Sequence, residues 1–372
     1  MDDGRLDLAK AIPLLEVASR LGVAGLRRAG VEHVGPCPVC GGKDRFGVNP
    51  ALGVFICRVC DAGGDGLAMV QHVLACDFKT ALSYLAGDAD VQPDPAEVAR
   101  RQARAAEVER KRADFEASAR ARAVADAREI WRCAQGADGT AVAAYLEARG
   151  IAWPDGALPP TLRFAPAHPY RKKAGGQVRT LHTGPAMIAA IQNAAGRITA
   201  VHQTWINPAY PGLKAHIEYE GEVMPAKMVR GSKKGGAIRL SPLGDTGVMI
   251  MGEGIETTAS AITAAVLPGA TYWAGIDLGN MAGRQIKVPG VRYSGAPDLG
   301  DDAAWIPPAG IKRLIFIQDG DSDPAATRAK LLCGLRRAQL ARPGLEAQIV
   351  HPGAGVDLND LARQSKNDGG AQ

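Results

Sequence analysis

Two C-x2-C pairs constrain this chain more than any other feature. Cys37-Pro-Val-Cys40 and Cys57-Arg-Val-Cys60 are separated by a 16-residue gap. Two residues between thiolates let one knuckle present both sulfurs to one tetrahedral metal, and two knuckles close the shell with four ligands. Four thiolates leave no open position, so the spacing predicts a structural zinc. Segment 34–62 is rich in Cys, Gly and Pro. It has too few apolar side chains to fold unaided, so metal binding supplies folding energy. Cys76, Cys133 and Cys333 fall in helix-like segments and read as packing residues. The polar, acidic start MDDGRLDLAK does not resemble a secretory signal. No apolar run approaches the roughly 20 residues of a membrane span. A cytoplasmic protein with no membrane partner is expected, and a reducing compartment favours metal over disulfides.

A length of 372 residues suggests several domains. Residues 7–29 and 66–86 show helical periodicity on either side of the cysteine segment. After the break at 92–97, a Gly- and Pro-free stretch rich in Ala, Arg and Glu runs to about Arg132 and reads as a long solvated helix. A short helix follows over 139–150. Short β-like runs (MIAAIQ, ITAVHQTWI, AIRLS) mark 151–247. From 248 on, VMIMG, ATYWAG, RLIFIQ and AQIVHP read as buried strands, with helices over 256–266 and 325–341 between some of them. That alternation implies a parallel-type α/β sheet.

Charge is unevenly spread. Residues 151–247 carry 12 basic and 5 acidic side chains, while the rest of the chain is nearly balanced. A concentrated basic surface suits a polyanionic partner. In the cysteine segment, Lys43 and Arg45 adjoin Phe46, and Phe55 adjoins the second knuckle. Cations beside aromatics on a ribbon face fit single-stranded nucleic acid. Phe46 and Phe55 read better as a small core around the metal, which leaves Lys43 and Arg45 as the DNA contacts. The pattern CP-x-CGG-x-DRF…C-x2-C…GGDG resembles the zinc-binding domains of phage and plasmid primases, relatives of the DnaG-type enzymes. The resemblance implies a zinc domain that engages template DNA.

Two acidic motifs sit at predicted strand ends. VMIMGEGIETTASAI delivers Glu253, and RLIFIQDGDSDPAATRAKLL delivers Asp319, Asp321 and Asp323. In open α/β sheets, ligands gather beyond the carboxyl ends of the strands. Clustered carboxylates repel one another unless cations neutralise them, and Mg2+ takes one or two carboxylates plus substrate phosphates. This arrangement resembles the Toprim domain of DnaG-type primases, topoisomerases and some nucleases. The resemblance makes Glu253, Asp319 and Asp321 the catalytic, Mg2+- or Mn2+-binding set, with Asp323 a further acidic member. VDLNDLA, with Asp357 and Asp360, looks like the closing segment of phage-type relatives, although Asp357 reads equally well as a helix N-cap.

Between these modules lie Lys214, Lys227, Arg230, Lys233, Lys234 and Arg239. Their Lys…Gly…Gly…Arg-Leu pattern is similar to the segment preceding Toprim in phage and plasmid primases, and implies contacts to template and triphosphate. His202 and Trp205 read as core residues. No G-x4-G-K-[ST] occurs, so any replicative helicase would be a separate partner.

The expectation is a multi-domain α/β chain. It has a zinc-binding domain (a zinc ribbon, 1–90), a helical linker (91–150), a basic α+β N-terminal subdomain of a catalytic core (151–247) and a Toprim domain with a mainly parallel sheet (248–372). The expected activity is DNA-primase-type nucleotidyl transfer from ribonucleoside triphosphates on single-stranded DNA, in the replication of a phage, plasmid or other mobile element. The alternatives are a Toprim nuclease and a non-catalytic DNA-binding replication accessory.

Overall fold

The structure, a computed structural model, describes residues 4–87, 95–174, 176–286, 288, 290–318 and 323–351. It divides into two compact units, 1–118 and 119–372.

Unit 1 begins with α1 (Arg5–Ala11) and α2 (Leu14–Arg20). They are two helices rather than one because Ile12 is extended before Pro13, as the residue preceding a proline tends to be. A five-stranded antiparallel sheet follows: β1 (Arg27–Ala29), β2 (Glu32–Cys37), β3 (Gly41–Asn49), β4 (Val54–Cys57) and β5 (Ala62–Gly64). Then come α3 (Gly66–Leu74), α4 (Phe78–Ala86) and the long α5 (Pro95–Cys133), which continues into unit 2. Asp65 and Asp77 cap α3 and α4, each accepting a backbone N–H three residues on. Leu14 and Val17 of α2, Leu67 and Val70 of α3, and Leu85 of α4 pack with Phe46, Val48 and Phe55 of the sheet. This core is where the apolar faces of the short helices are buried.

Unit 2 holds β6 (Gln135–Gly136), α6 (Ala141–Ala148), β7 (Leu162–Ala174), β8 (Gln177–Gln192), β9 (Ile198–Trp205), β10 (Ile217–Tyr219), β11 (Glu222–Met224), β12 (Lys227–Gly231) and β13 (Ala237–Arg239). These are followed by β14 (Val248–Gly252), α7 (Ile255–Thr263), β15 (Thr271–Ala274), α8 (Leu278–Ala282), β16 (Arg313–Ile317), α9 (Pro324–Ala341) and β17 (Glu346–Val350). The main sheet runs β12-β9-β8-β13-β15-β14-β16-β17, with β7 and β6 attached beside β8. Pairings among β15, β14, β16 and β17 are parallel, while those among β6–β9, β12 and β13 are antiparallel. The antiparallel pair β13–β15 joins the two halves into one mixed sheet.

Strand alternation divides the parallel half between two cores. Ile250, Tyr272, Ile315 and Ile317 face α6 and α7, where they meet Tyr145, Leu146, Ile255 and Ile262. Met249, Met251, Trp273, Leu314 and Phe316 face α8 and α9, where they meet Met281, Leu331 and Leu335. Both faces are therefore covered, and the near-continuous apolar runs in the sequence are those of strands buried on two sides. The antiparallel half has its own cluster. There Trp205, Tyr170 and Ile188 pack with Ala127, Ile130 and Trp131 at the end of α5.

Candidate functional site

The two cysteine knuckles converge. Their four sulfurs lie within 4.8 Å of one another, with Cys37 and Cys60 Sγ 4.0 Å apart and Cys40 and Cys57 Sγ 3.6 Å apart. A tetrahedral zinc with bonds of about 2.3 Å requires sulfurs at about this separation, so the quartet fits zinc. Each knuckle turns on a left-handed residue directly after its second cysteine, Gly41 (φ 68°) and Asp61 (φ 52°). The Val39 and Cys60 amides donate to Cys37 and Cys57 Sγ, each at 3.4 Å. These donors favour thiolate. At Cys57 burial works against ionisation, yet the Cys60 and Val59 amides and the neighbouring thiols bring it down to about 6. His72 of α3 adds a ring nitrogen 3.6 Å from Cys37 Sγ and stacks on Phe55.

Phe46 and Phe55 are buried with ring centroids 5.3 Å apart, so they form the core behind the metal site. Lys43 and Arg45 are exposed on β3. Arg45 donates to the Cys40 carbonyl at 3.3 Å and so braces the first knuckle.

In unit 2, strand register brings the chemistry to one sheet edge. Gly252 pairs with Ala274, and Met251 with Phe316. Glu253 therefore leaves the sheet level with Gln318 on one side and Gly275 on the other. The turn into α7 is tight: a Cβ at Gly252 would lie 2.8 Å from Thr258 Oγ1, which instead accepts the Gly252 amide at 3.1 Å. A cavity of about 550 Å³ opens at this edge. Its charged walls are Glu253, Glu256, Asp277, Arg149, Lys214 and Lys227, and His202 adds an imidazole.

Glu256 is buried. Tyr145 Oη donates to its Oε1 at 2.7 Å, and Lys214 Nζ lies 3.1 Å from the same oxygen. Burial would raise its pKa, but Lys227, Lys214 and the Tyr145 hydroxyl hold it well below the carboxylate range. Burial lowers Lys214 despite the pull of Glu256. The same burial raises Tyr145, which stays a neutral donor. His202 is brought down to about 4 by burial, against the pull of Glu256, and is neutral at pH 7. Asp277 caps α8, accepting the Asn280 amide at 2.8 Å.

Of the residues singled out in the sequence, the cavity unites Glu253, Lys214 and Lys227. The other described ones do not line it, although Lys233 reaches its wall through Asp277. Arg230 pairs with Asp126, and Lys233 with Asp277. Lys234 pairs with the buried Asp301 at 2.5 Å. Arg239 stacks over Trp273 at 4.5 Å and donates to the Asn193 carbonyl. Asp323 caps α9, its Oδ1 accepting the Ala325 and Ala326 amides. Asp319, Asp321, Asp357 and Asp360 lie outside the described residues. Sequence reasoning missed Arg149, Glu256, Asp277 and the cavity-facing position of His202. Only Glu256 had a visible signal, three residues after Glu253 at the start of a helix.

Residues 7–101 match the CHC2 zinc finger family, and residues 121–240 match a domain of unknown function, DUF7146. No curated protein matches the chain. Among solved structures, the zinc-binding and RNA polymerase domains of the Aquifex aeolicus primase share 16% identity, with 99% of this chain and 84% of that one covered and a TM-score of 0.35. A DNA primase domain from Pseudomonas aeruginosa shares 13%, with 65% and 74% covered and a TM-score of 0.34. The primase fragment of the bacteriophage T7 primase-helicase protein shares 12%, with 90% and 96% covered and a TM-score of 0.30. Likeness at this level does not define the chemistry, which rests on the residues themselves. Among the described residues, no helix is long and apolar enough to cross a membrane.

Proposed function

We propose that the chain is a DNA primase of Toprim type that joins ribonucleotides into short primers on single-stranded DNA in the cytoplasm. The observation that carries this reading is the cavity at the carboxyl ends of β14 and β15, where Glu253 meets Lys214 and Lys227. A phosphoryl-transfer site calls for this mixture of a carboxylate to serve a metal and cations to serve phosphates. β16, parallel to β14, ends at Ile317, two residues before Asp319. This reading assigns Asp319 and Asp321, which follow β16 in the sequence, to the same metal-binding set as Glu253.

Glu256 is engaged by Tyr145 and Lys214, Asp277 by Lys233 and the α8 cap, and Asp323 by the α9 cap. Glu253 stands just past the end of β14 in the cavity wall, a position where a carboxylate suits an oxygen-seeking ion. With Asp319 and Asp321 it would hold Mg2+ or Mn2+, and Asp323 would support the set from the helix cap. When bound, such ions neutralise triphosphate charge and activate a hydroxyl nucleophile. Lys214 and Lys227 would bind phosphate oxygens, with the N-terminus of α7 at the same wall. Glu253 would also accept the proton of the primer 3′ hydroxyl. The exposed Lys43 and Arg45 of the zinc module would contact template, a role consistent with the CHC2 match. The exposed Arg230 and Lys233 would follow the strand only by leaving their carboxylate partners. Lys234 and Arg239 would shape the groove rather than grip it. A replicative helicase would act as a separate partner.

The test is the Glu253→Ala variant on single-stranded template. Primer synthesis should vanish while DNA binding survives. Wild-type synthesis by this variant would remove Glu253 from the chemistry.

A further inference from the structure

Between Asp155 and Glu218 the chain has no acidic residue, yet it carries Arg163, Arg171, Lys172, Lys173, Arg179, Arg197 and Lys214. Four of these cations gather on one feature. β7 and β8 run on past His168 and Gly184 as a two-stranded arm, whose register sets Arg171 against Thr180, Lys172 against Arg179 and Lys173 against Val178. Arg171, Lys172, Lys173 and Arg179 are all exposed. Like charges directly opposite across an antiparallel pair are unfavourable, and Lys172 and Arg179 are such a pair.

The arm contrasts with the 230–234 segment. Arg230, Lys233 and Lys234 each have a carboxylate partner. Among the described residues, none of the four arm cations forms an ion pair. Lys172 Nζ donates to the Met224 thioether at 3.2 Å, a weak acceptor. The arm therefore gathers four cations without an ion pair among the described residues, whereas Lys233 and Lys234 of the Gly-rich loop are paired.

A cavity of about 490 Å³ separates the arm from the β10–β11 hairpin, with Lys172, Lys173 and Arg179 on one wall and Tyr219, Glu220 and Glu222 on the other. We propose that the β7–β8 arm is a second nucleic-acid contact of unit 2, in which Arg171, Lys172, Lys173 and Arg179 hold the phosphate backbone of a single strand. Arg171 and Lys173 are two residues apart on one strand, about 6.6 Å along it, so they repeat along a backbone as charges on a polyanion do. The two carboxylates opposite keep phosphates on the arm side. Tyr219 on that wall offers an aromatic ring to a base, the usual companion of such cations in single-strand binding. The proposal rests on the reading of this chain as a template-handling protein.

The test uses the full chain and a labelled oligothymidine, followed by fluorescence anisotropy from about 50 to 200 mM salt, the range over which phosphate contacts are read. The variant combines Lys172→Gln, Lys173→Gln and Arg179→Gln. All three side chains are exposed, and matched thermal unfolding checks that the fold is kept. Each lost single-strand phosphate contact removes about 0.7 from the log–log salt slope, so the slope should flatten by about 2, with affinity at low salt down at least about tenfold. An unchanged slope and affinity in the variant, with wild type still binding, would overturn the arm and leave the primase reading intact. If the wild type does not bind the oligonucleotide at all, the arm and the template reading fail together.

Discussion

The Tyr145 hydroxyl donates to the Glu256 carboxylate at 2.7 Å, although the two residues lie 111 positions apart in the chain. The bond ties α6 to the first turn of α7, directly behind Lys214 at the cavity wall. A hydrogen bond to a buried charge contributes about 1.5–3 kcal/mol. Tyr145→Phe should therefore lower unfolding free energy by that amount in urea titration. A variant as stable as wild type would mean that the bond contributes nothing.

Histidine 202 gives the fold a pH dependence of definite sign. His202 is brought to about 4 in the folded chain, against about 6.5 when unfolded. Between these values the unfolded chain binds the extra proton, so stability is full above about 6.5 and declines as pH falls toward 4. The loss should reach on the order of 2–3 kcal/mol, at 1.36 kcal/mol per pKa unit. Burial shifts His168 the same way. Glu256, also lowered, acts in the same direction in a more acidic window: its stability is present above the ordinary carboxylate pKa and is lost progressively below it. Denaturation midpoints measured from pH 7 to pH 4.5 should fall, and His202→Asn should fall less steeply.

Removing zinc should act on unit 1 alone. The apolar core of that unit includes Cys37 and Cys57 themselves, so loss of the metal loosens the packing around Phe46 and Phe55. Chelation, or Cys37→Ser, should remove one zinc per chain by metal analysis and abolish an unfolding transition that the cores of unit 2 do not share. A chain that binds no zinc and keeps all its transitions would contradict this.

Arg337 is a structural arginine. It is 4% exposed and donates to the carbonyls of Ala282, Arg284 and Asp298 at 3.3, 2.7 and 2.8 Å. It thereby fastens the segment after α8 to α9. Arg337→Met would strip one donor from each of three carbonyls, which keep the Cys333 thiol, the Asp298 amide and the Asp301 amide as second donors, so the cost is about 1 kcal/mol per lost bond. The expected loss of stability is about 3 kcal/mol by urea titration, and a loss below 1 kcal/mol would show that the second donors suffice.

Local signals in the sequence carried furthest. The cysteine knuckles were legible because spacing alone fixes them. The strands ending at Glu253 and before Asp319 were legible because buried parallel strands are continuously apolar, and α7 and α9 follow within a few residues of the expected positions. The β7–β8 arm was not foreseen. Pro166, Pro169 and Pro185 interrupt its alternation, and register shifts on β7 absorb the irregularity. The split between α1 and α2 had a signal, Pro13, that periodicity over 7–29 concealed. Burial of Glu256 could not be read at all, because its partners come from distant segments. Nor could the engagement of Lys234 by Asp301, since a lysine in a Gly-rich run looks the same paired or unpaired.

Template-dependent incorporation of labelled ribonucleotides on single-stranded DNA with Mg2+ or Mn2+, comparing wild type with Asp319→Ala, tests the central claim most directly. Short products from wild type and none from the variant are the predicted result. No product on varied templates, or degradation of the nucleic acid by the wild type, would contradict it.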